Sequence, residues 1–355
     1  MPASSVVKHP RRLLILRFSA LGDVAMTVPV VASLAAQYPQ MQITVASQPF
    51  LAPLFEHIAP NVQFFGADIR KTYRGLCGLW QLSRTAPFQD CDAVADLHDV
   101  LRTKILRCFL RLRGKHLAVI DKHRREKRLL VEHKIFRPLP TSFALYAETL
   151  ARLGLPVKLN FERLKLGGDA LHLPFPFSTD TLHEPWLGLA PFAAHEGKIY
   201  PLEQMTEVVQ LYFESHPHGR LFVFGSKKEM EMLRPTWGKG FERLVFVCDI
   251  LKGLGAELQL MARLNVMVSM DSGNMHLASL VGCPVVSIWG QTHPFAGFMG
   301  YHQAEENVVQ QDLHCRPCSI FGNAPCRYGD FRCLRDILPQ LIVDKVEEII
   351  SPEQD

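Results

Sequence analysis

No apolar run in this 355-residue chain approaches the ~18 residues that a membrane-spanning helix needs. The expectation is therefore a cytoplasmic protein. The chain also lacks a G-x-G-x-x-G fingerprint and a G-x-x-x-x-G-K-[ST] loop, which counts against a nicotinamide dehydrogenase and a P-loop ATPase. Internal repeats and low-complexity tracts are absent too. Cysteine is sparse, nine residues, yet four of the nine fall between Cys315 and Cys333. In a reducing compartment that clustering favours thiols or a metal over disulfides.

What is present is a 48% hydrophobic chain, long enough for two domains with cores of their own. Strand and helix signals alternate through the first half: "RRLLILRF", a helix over 23–38, "QITVAS", "NVQFF", "DAVADL", a helix over 100–113, "HLAVI" and a helix over 142–154. A stretch without period follows at 167–185, rich in Gly, Pro and Ser/Thr, and reads as a linker. The alternation then restarts with "WLGLAPFA" and runs through "GRLFVFGS", "RLVFVCD", "VMVSMDS" and "PVVSIWG". The fold class expected is α/β: two Rossmann-like doubly wound domains, 1–166 and 186–355, facing a central cleft into which strand carboxyl ends open.

Four stretches carry chemistry. In "RFSALGDVAMTVP", Ser19 to Gly22 form a turn, Gly22 supplies permissive backbone, and Asp23 opens a helix as an N-cap or stands as a general base. In "AAHEGKIYP", Lys198 is a loop lysine or a point charge for a diphosphate. In "FGSKKEM", Glu229 complements a helix dipole or holds ribose hydroxyls. In "MDSGNMH", Ser272 and the amides of Gly273, Asn274 and Met275 can donate to phosphate at a helix amino end. Asp271 there orients the turn or binds a sugar hydroxyl, and His276 donates to phosphate or packs in the core.

Net charge is only +4, but residues 98–137 hold thirteen Lys/Arg against four acids, or +9, leaving about −5 elsewhere. A segregated positive field attracts an anionic partner, a phosphorylated lipid or membrane surface. Nucleic acid ranks last, because no reading element or aromatic interleaving accompanies the charge. The cysteines are spaced C-x2-C-x7-C-x6-C, at Cys315, Cys318, Cys326 and Cys333, a set able to hold a structural metal or to pack as reduced thiols.

Taken together, these stretches resemble the ADP-heptose:lipopolysaccharide heptosyltransferases, glycosyltransferase family 9. The resemblance lies in Ser19, Gly22, Asp23, Pro29 and Leu34, in Asp271, Ser272, Gly273, His276 and Ala278, in Lys198, Tyr200 and Pro201, and in "VADLHDVLRT". A tryptophan is common before the family's proline, and Tyr200 stands there instead.

The resemblance implies a GT-B fold with acceptor on the first domain, nucleotide sugar on the second, and a last helix returning to the first. It implies an inverting transfer that needs no cofactor, from an ADP-heptose donor to the inner core of lipopolysaccharide. Asp23 would be the base and Lys198 the catalytic cation. Glu229, Asp271, Ser272, Gly273, Asn274, His276 and Thr292 would bind the nucleotide sugar. Ser19, Gly22, Arg102, Arg124, Arg125 and Arg128 would bind the acceptor. The cysteine cluster would hold zinc or iron structurally, if any metal, and the basic segment would bring the enzyme to the inner face of the cytoplasmic membrane. Rival expectations are a relative with another nucleotide sugar or a protein acceptor, and an inactive GT-B protein docking on anionic lipid.

Overall fold

The computed structural model describes residues 9–167 and 184–351, so most of the expected linker lies outside the described residues. Two compact units are present. One comprises the chain up to Lys122 together with Ser142–Gly167; the other comprises His123–Thr141 and the chain beyond Gly167.

The first unit is built on five parallel strands, β1 (Arg12–Leu16), β2 (Gln42–Ser47), β3 (Val62–Gly66), β4 (Ala93–Asp96) and β5 (His116–Val119), in the order β3-β2-β1-β4-β5. Short apolar runs such as "LLIL" have no polar alternation because β1 is covered on both faces, and Leu13 to Leu16 are all buried. Its helices are α1 (Leu21–Ala25), α2 (Val28–Gln37), α3 (Gly75–Leu82), α4 (Ala86–Asp90) and α5 (Leu101–Leu112). The single helix expected over 23–38 is two. Pro29 has no N–H to give to the Ala25 carbonyl, so the ladder stops and α2 begins anew with Pro29 in its first turn.

Two further helices follow. Helix α6 (Arg124–Val131) belongs to the second unit, while α7 (Ser142–Ala151) returns to the first. Leu130 and Leu139 are buried with Ala296, and Ile135, Phe295, Phe298 and Ile320 pack around them. The Lys127 ammonium sits 4.4 Å over the Phe298 ring.

The second unit carries six parallel strands, β6 (Trp186–Ala190), β7 (Arg220–Val223), β8 (Leu244–Phe246), β9 (Val266–Met270), β10 (Val285–Trp289) and β11 (Val308–Gln310), ordered β11-β10-β9-β6-β7-β8. Around them lie α8 (Leu202–Ser215), α9 (Lys227–Trp237), α10 (Val247–Ile250), α11 (Leu254–Met261), α12 (Gly273–Leu280), α13 (Arg332–Arg335) and α14 (Pro339–Ile350). The "RLVFVCD" strand ends at Phe246, and Cys248 and Asp249 lie in α10.

The last helix does not return to the first unit. Ile342, Val343 and Val346 of α14 are buried in the second unit's core with Met205, Val208 and Val209 of α8. An amphipathic stripe at i, i+1 and i+4 found its partner on the nearest apolar helix face, and burial of that stripe fixes the helix there.

In each sheet the strand order reverses direction at one place, between β1 and β4 in the first and between β6 and β9 in the second. Adjacent strands there send their following loops to opposite sides, which opens a crevice at the carboxyl ends. Ser19, Gly22 and Asp23 follow β1, Lys198 follows β6 and Asp271 to His276 follow β9, so the topology gathers these at the two switch points, while Glu229 follows β7 and Thr292 follows β10.

Candidate active site

At the first switch point Asp23 stands in the opening turn of α1. Its Oδ2 accepts the Ala20 N–H at 3.1 Å and meets the Arg17 guanidinium at 2.6 Å. Arg17 is itself buried and donates to the Leu97 carbonyl at 2.5 Å. Tyr146 of α7 donates its hydroxyl to the Asp23 carbonyl at 3.1 Å, and burial raises that phenol's pKa. Asp23 is thus held from three sides; the N-cap of α1 is Ala20, not Asp23, which stands third in the helix and reaches back to the Ala20 N–H. Gly22 has no left-handed backbone; it lies in the first turn of α1, so the turn does not need its freedom.

The loop after β4 adds a residue that sequence reasoning did not single out. His98 is buried, its Nδ1 accepts the Phe18 N–H at 3.4 Å, and its Nε2 lies 3.3 Å from Ser19 Oγ. An Nδ1 that accepts leaves the ring proton on Nε2, so His98 donates to Ser19 and the Ser19 hydroxyl is free to donate onward. The same tautomer rules out His98 as the base of a serine nucleophile, which would need the Nε2 lone pair. Burial, reinforced by the Arg17 and Lys122 cations, pushes the imidazole down to about 3. Asp96, fully buried, accepts the His98 and Asp99 N–H groups at 2.9 and 3.0 Å and pairs with Arg107 at 3.2 Å. The signal for His98 was a titratable residue two positions beyond a buried parallel strand.

At the second switch point Lys198 and Asp271, on the loops after β6 and β9, form an ion pair at 2.9 Å. Both are largely buried, with side-chain exposures of 16% and 4%. Asp271 therefore orients the ammonium. Helix α12 starts immediately after, and Ser272 at its N-cap makes no capping hydrogen bond through its side chain; its Oγ instead lies 3.3 Å from Ser269 Oγ. The first-turn amides of Gly273, Asn274 and Met275 consequently point out of the helix end without a side-chain cap, a ready anion cradle. His276 is buried one turn in. Thr292 is buried after β10, and its hydroxyl has no hydrogen-bond partner among the described residues.

Glu229 closes a capping box at the start of α9: its Oε2 accepts both the Ser226 N–H and the Ser226 hydroxyl at 2.7 Å. The acceptor set divides. Ser19, Gly22 and Arg102 are in the first unit, whereas Arg124, Arg125 and Arg128 lie exposed on α6 in the second.

The cysteine-bearing loop buttresses this second half-site. Buried Arg316 donates to the carbonyls of Gly290 at 2.5 Å, Thr292 at 2.9 Å and Trp289 at 3.2 Å, and also to the Gln311 carbonyl. The Gln291 carbonyl accepts the Cys318 and Ser319 N–H groups, and Gly197 N–H donates to the Gly322 carbonyl. Gly322 has φ +74°, and a Cβ there would lie 2.3 Å from Lys198 Cγ. Cys315, Cys318, Cys326 and Cys333 line one cavity of about 10 Å³. Among the described residues no group of three or more His, Cys, Asp or Glu is drawn together as a metal site.

Residues 82–324 match the sequence profile of "Glycosyltransferase family 9 (heptosyltransferase)". The chain is 25% identical to the lipopolysaccharide core heptosyltransferase OpsX of Haemophilus influenzae, over 80% of each protein. Among solved structures it is similar to a glycosyltransferase family 9 protein of Veillonella parvula, with TM-score 0.73, 18% identity and coverage of 96% of this chain and 97% of that one. It is also similar to E. coli heptosyltransferase WaaC with ADP, with TM-score 0.61, 20% identity and coverage of 95% and 99%. These likenesses, with the two parallel sheets, make the architecture GT-B.

Proposed function

The chain belongs to glycosyltransferase family 9, and on that footing we propose that it moves heptose from ADP-heptose to the inner core of lipopolysaccharide. The observation that carries this is the Lys198–Asp271 pair beside the uncapped start of α12. A buried cation and a helix amino end side by side suit a diphosphate leaving group and supply the neutralisation that a bound metal gives elsewhere. ADP binds there, Glu229 and Thr292 complete the donor site, and no cofactor enters the transfer.

Asp23 is the base. It takes the proton of the acceptor hydroxyl as the oxygen bonds to the anomeric carbon, and the bond from that carbon to the β-phosphate oxygen breaks with inversion. Arg17 orients the carboxylate, and the Ser19 hydroxyl, set by His98, donates to the acceptor. Arg102 attracts the acceptor's anionic groups, as do Arg124, Arg125 and Arg128 from the other unit. The enzyme works as a cytoplasmic protein in peripheral contact with the inner membrane, in keeping with the absence of any helix long and apolar enough to cross a membrane among the described residues.

The four loop cysteines suit zinc or iron, since thiolates prefer such ions and the four side chains already share one cavity. A metal held by Cys315, Cys318, Cys326 and Cys333 would tie the loop that supports Lys198, away from the reacting atoms. Elemental analysis of the purified protein checks it: about one zinc or iron per chain, lost in Cys318→Ser, supports the site, and a metal-free protein with four titratable thiols removes it.

The test of the transfer is ADP release from ADP-heptose with a panel of truncated lipopolysaccharide acceptors. Acceptor-dependent release that disappears in Asp23→Ala and falls in Lys198→Ala is expected. Release with no acceptor in the panel, or an absence of ADP binding, sinks the proposal.

A further inference from the structure

Helix α3, "GLCGLWQL", has apolar side chains on both of its faces. Leu79 and Leu82 enter the first unit's core, while Leu76 and Trp80 are 65% and 49% exposed. Helix α5 packs beside it, and Leu76, Cys77, Trp80, Gln81 and Phe109 line a shallow groove of about 610 Å³. Leu112, at the end of α5, is 86% exposed, and the next residue, Arg113, donates to Ser83 just past the end of α3. Single exposed leucines need no explanation, but a groove of them with an exposed tryptophan marks a contact surface.

The charge around the groove states what it contacts. Residues 70–88 and 100–117, which carry α3 and α5, contain ten Lys and Arg and no Asp or Glu. The Arg84 guanidinium lies 4.7 Å over the Trp80 ring, so the aromatic stands within the cationic rim. Arg107 pairs with Asp96 and Asp99, but a second copy of the chain would bring the other nine cations against themselves, and a neutral apolar partner would supply them no counter-charge. An anionic bilayer meets both features at once: apolar side chains enter the headgroup boundary, tryptophan prefers that depth, and each basic residue near the surface adds attraction.

We propose that the α3–α5 face of the first unit is the surface that docks on the anionic leaflet, with Leu76, Trp80 and Leu112 inserted and the surrounding Lys and Arg on phospholipid headgroups. This builds on the peripheral contact of the proposed function and locates it on α3 and α5, whose inserted side chains Leu76, Trp80 and Leu112 take no part in transfer.

Vesicles without any lipopolysaccharide acceptor test it. The other three tryptophans, Trp186, Trp237 and Trp289, are buried, so Trp80 dominates any change of emission on binding. With phosphatidylglycerol-containing vesicles the emission should shift to the blue and the protein should co-sediment at low salt, and release at about 0.5 M salt is expected. Trp80→Ser with Leu112→Ser should weaken partitioning by about tenfold or more, and Lys104→Glu with Arg111→Glu by a similar factor. Trp80→Ser with Leu112→Ser should keep the melting temperature and the turnover of a soluble truncated acceptor, and Lys104→Glu with Arg111→Glu should keep the melting temperature and ADP binding, which separates a failure of docking from a failure of the transferase assignment. No binding to anionic vesicles, equal binding to phosphatidylcholine vesicles, unchanged binding by both variants, or a concentration-dependent dimer abolished by Trp80→Ser overturns the proposal.

Discussion

Lys198 is placed by contacts that leave it little freedom. Asp271 holds its ammonium and Gly322 gives room for its stem, at a left-handed backbone position that an L side chain also strains. Gly322→Ala should therefore displace Lys198 and lower kcat by about tenfold or more, with ADP affinity reduced and the fold retained; steady-state kinetics beside a thermal melt checks it. Asp271→Asn removes the partner of a nearly buried cation and should cost a large part of the transfer rate through misorientation of the same ammonium.

His98 gives a pH dependence whose direction follows from its position. Its folded value of about 3 lies below the roughly 6.5 of an unfolded imidazole, so the folded state favours the neutral ring. The stability it contributes is complete above about pH 6.5 and is lost as pH falls from there toward 3. Denaturant melts of the native protein should weaken along that limb, and His98→Gln should flatten it while Ser19 keeps an amide donor. His293, buried and pushed down to about 4, adds to the same limb and remains in the variant.

The sequence placed Asp23, Lys198, Asp271 and the 272–275 turn at strand-to-helix junctions, each with a recognisable spacing, and the structure has them at such junctions. The sequence did not reveal that Lys198 and Asp271 pair, since 73 positions separate them and only the adjacency of β6 and β9 brings them together. Arg17 was passed over inside an apolar strand run, where a charge signals a buried partner.

Among the elements, α14 shows how a short amphipathic segment is fixed. Ile342, Val343 and Val346 fill the second unit's core beside α8, with Ile342 fully buried. Ile342→Ala should cost about 3 kcal/mol of unfolding free energy, measured by denaturant titration, with the donor half-site's chemistry left unchanged in the surviving folded protein. The cysteine-bearing loop is the other element with leverage, because Arg316 gathers the carbonyls of Trp289, Gly290 and Thr292 at the end of β10 and just beyond it. Arg316→Met would leave those buried carbonyls unsatisfied, and ADP affinity should fall with stability.

Strands β1 and β6 were legible as apolar runs bounded by turns, and β4, β9 and β10 as mainly apolar runs interrupted only by Asp96, Ser269 and Ser287. The helix over 23–38 was legible in extent but not in its break, which Pro29 marks. Helix α6 was hidden because its basic residues dominate the segment, and its few apolar contacts come from Phe295, Ala296 and Phe298, far along the chain.

For the molecule as a whole, the modest net charge conceals a division. The +9 of residues 98–137 is shared between units, since 98–122 belong to the first and 123–137 to the second. Long-range attraction to an anionic acceptor is thus distributed over both, and raising salt should increase the apparent KM for a phosphorylated acceptor more than for ADP-heptose, whose proposed site lies beside the buried Lys198–Asp271 pair.

The excursion of His123–Thr141 into the second unit also decides how this enzyme can be recombined with its relatives. A chimera cut once in the linker would carry a foreign α6 against Phe295, Ala296 and Phe298, a mismatched core patch in an otherwise native second unit. Exchange of the first unit calls for two inserts, the chain up to Lys122 and Ser142–Gly167, with the nineteen residues between them left to the parent. The first unit is therefore discontinuous in the gene, and crossovers placed at 122 and 142 should give folded hybrids where a single crossover gives insoluble ones.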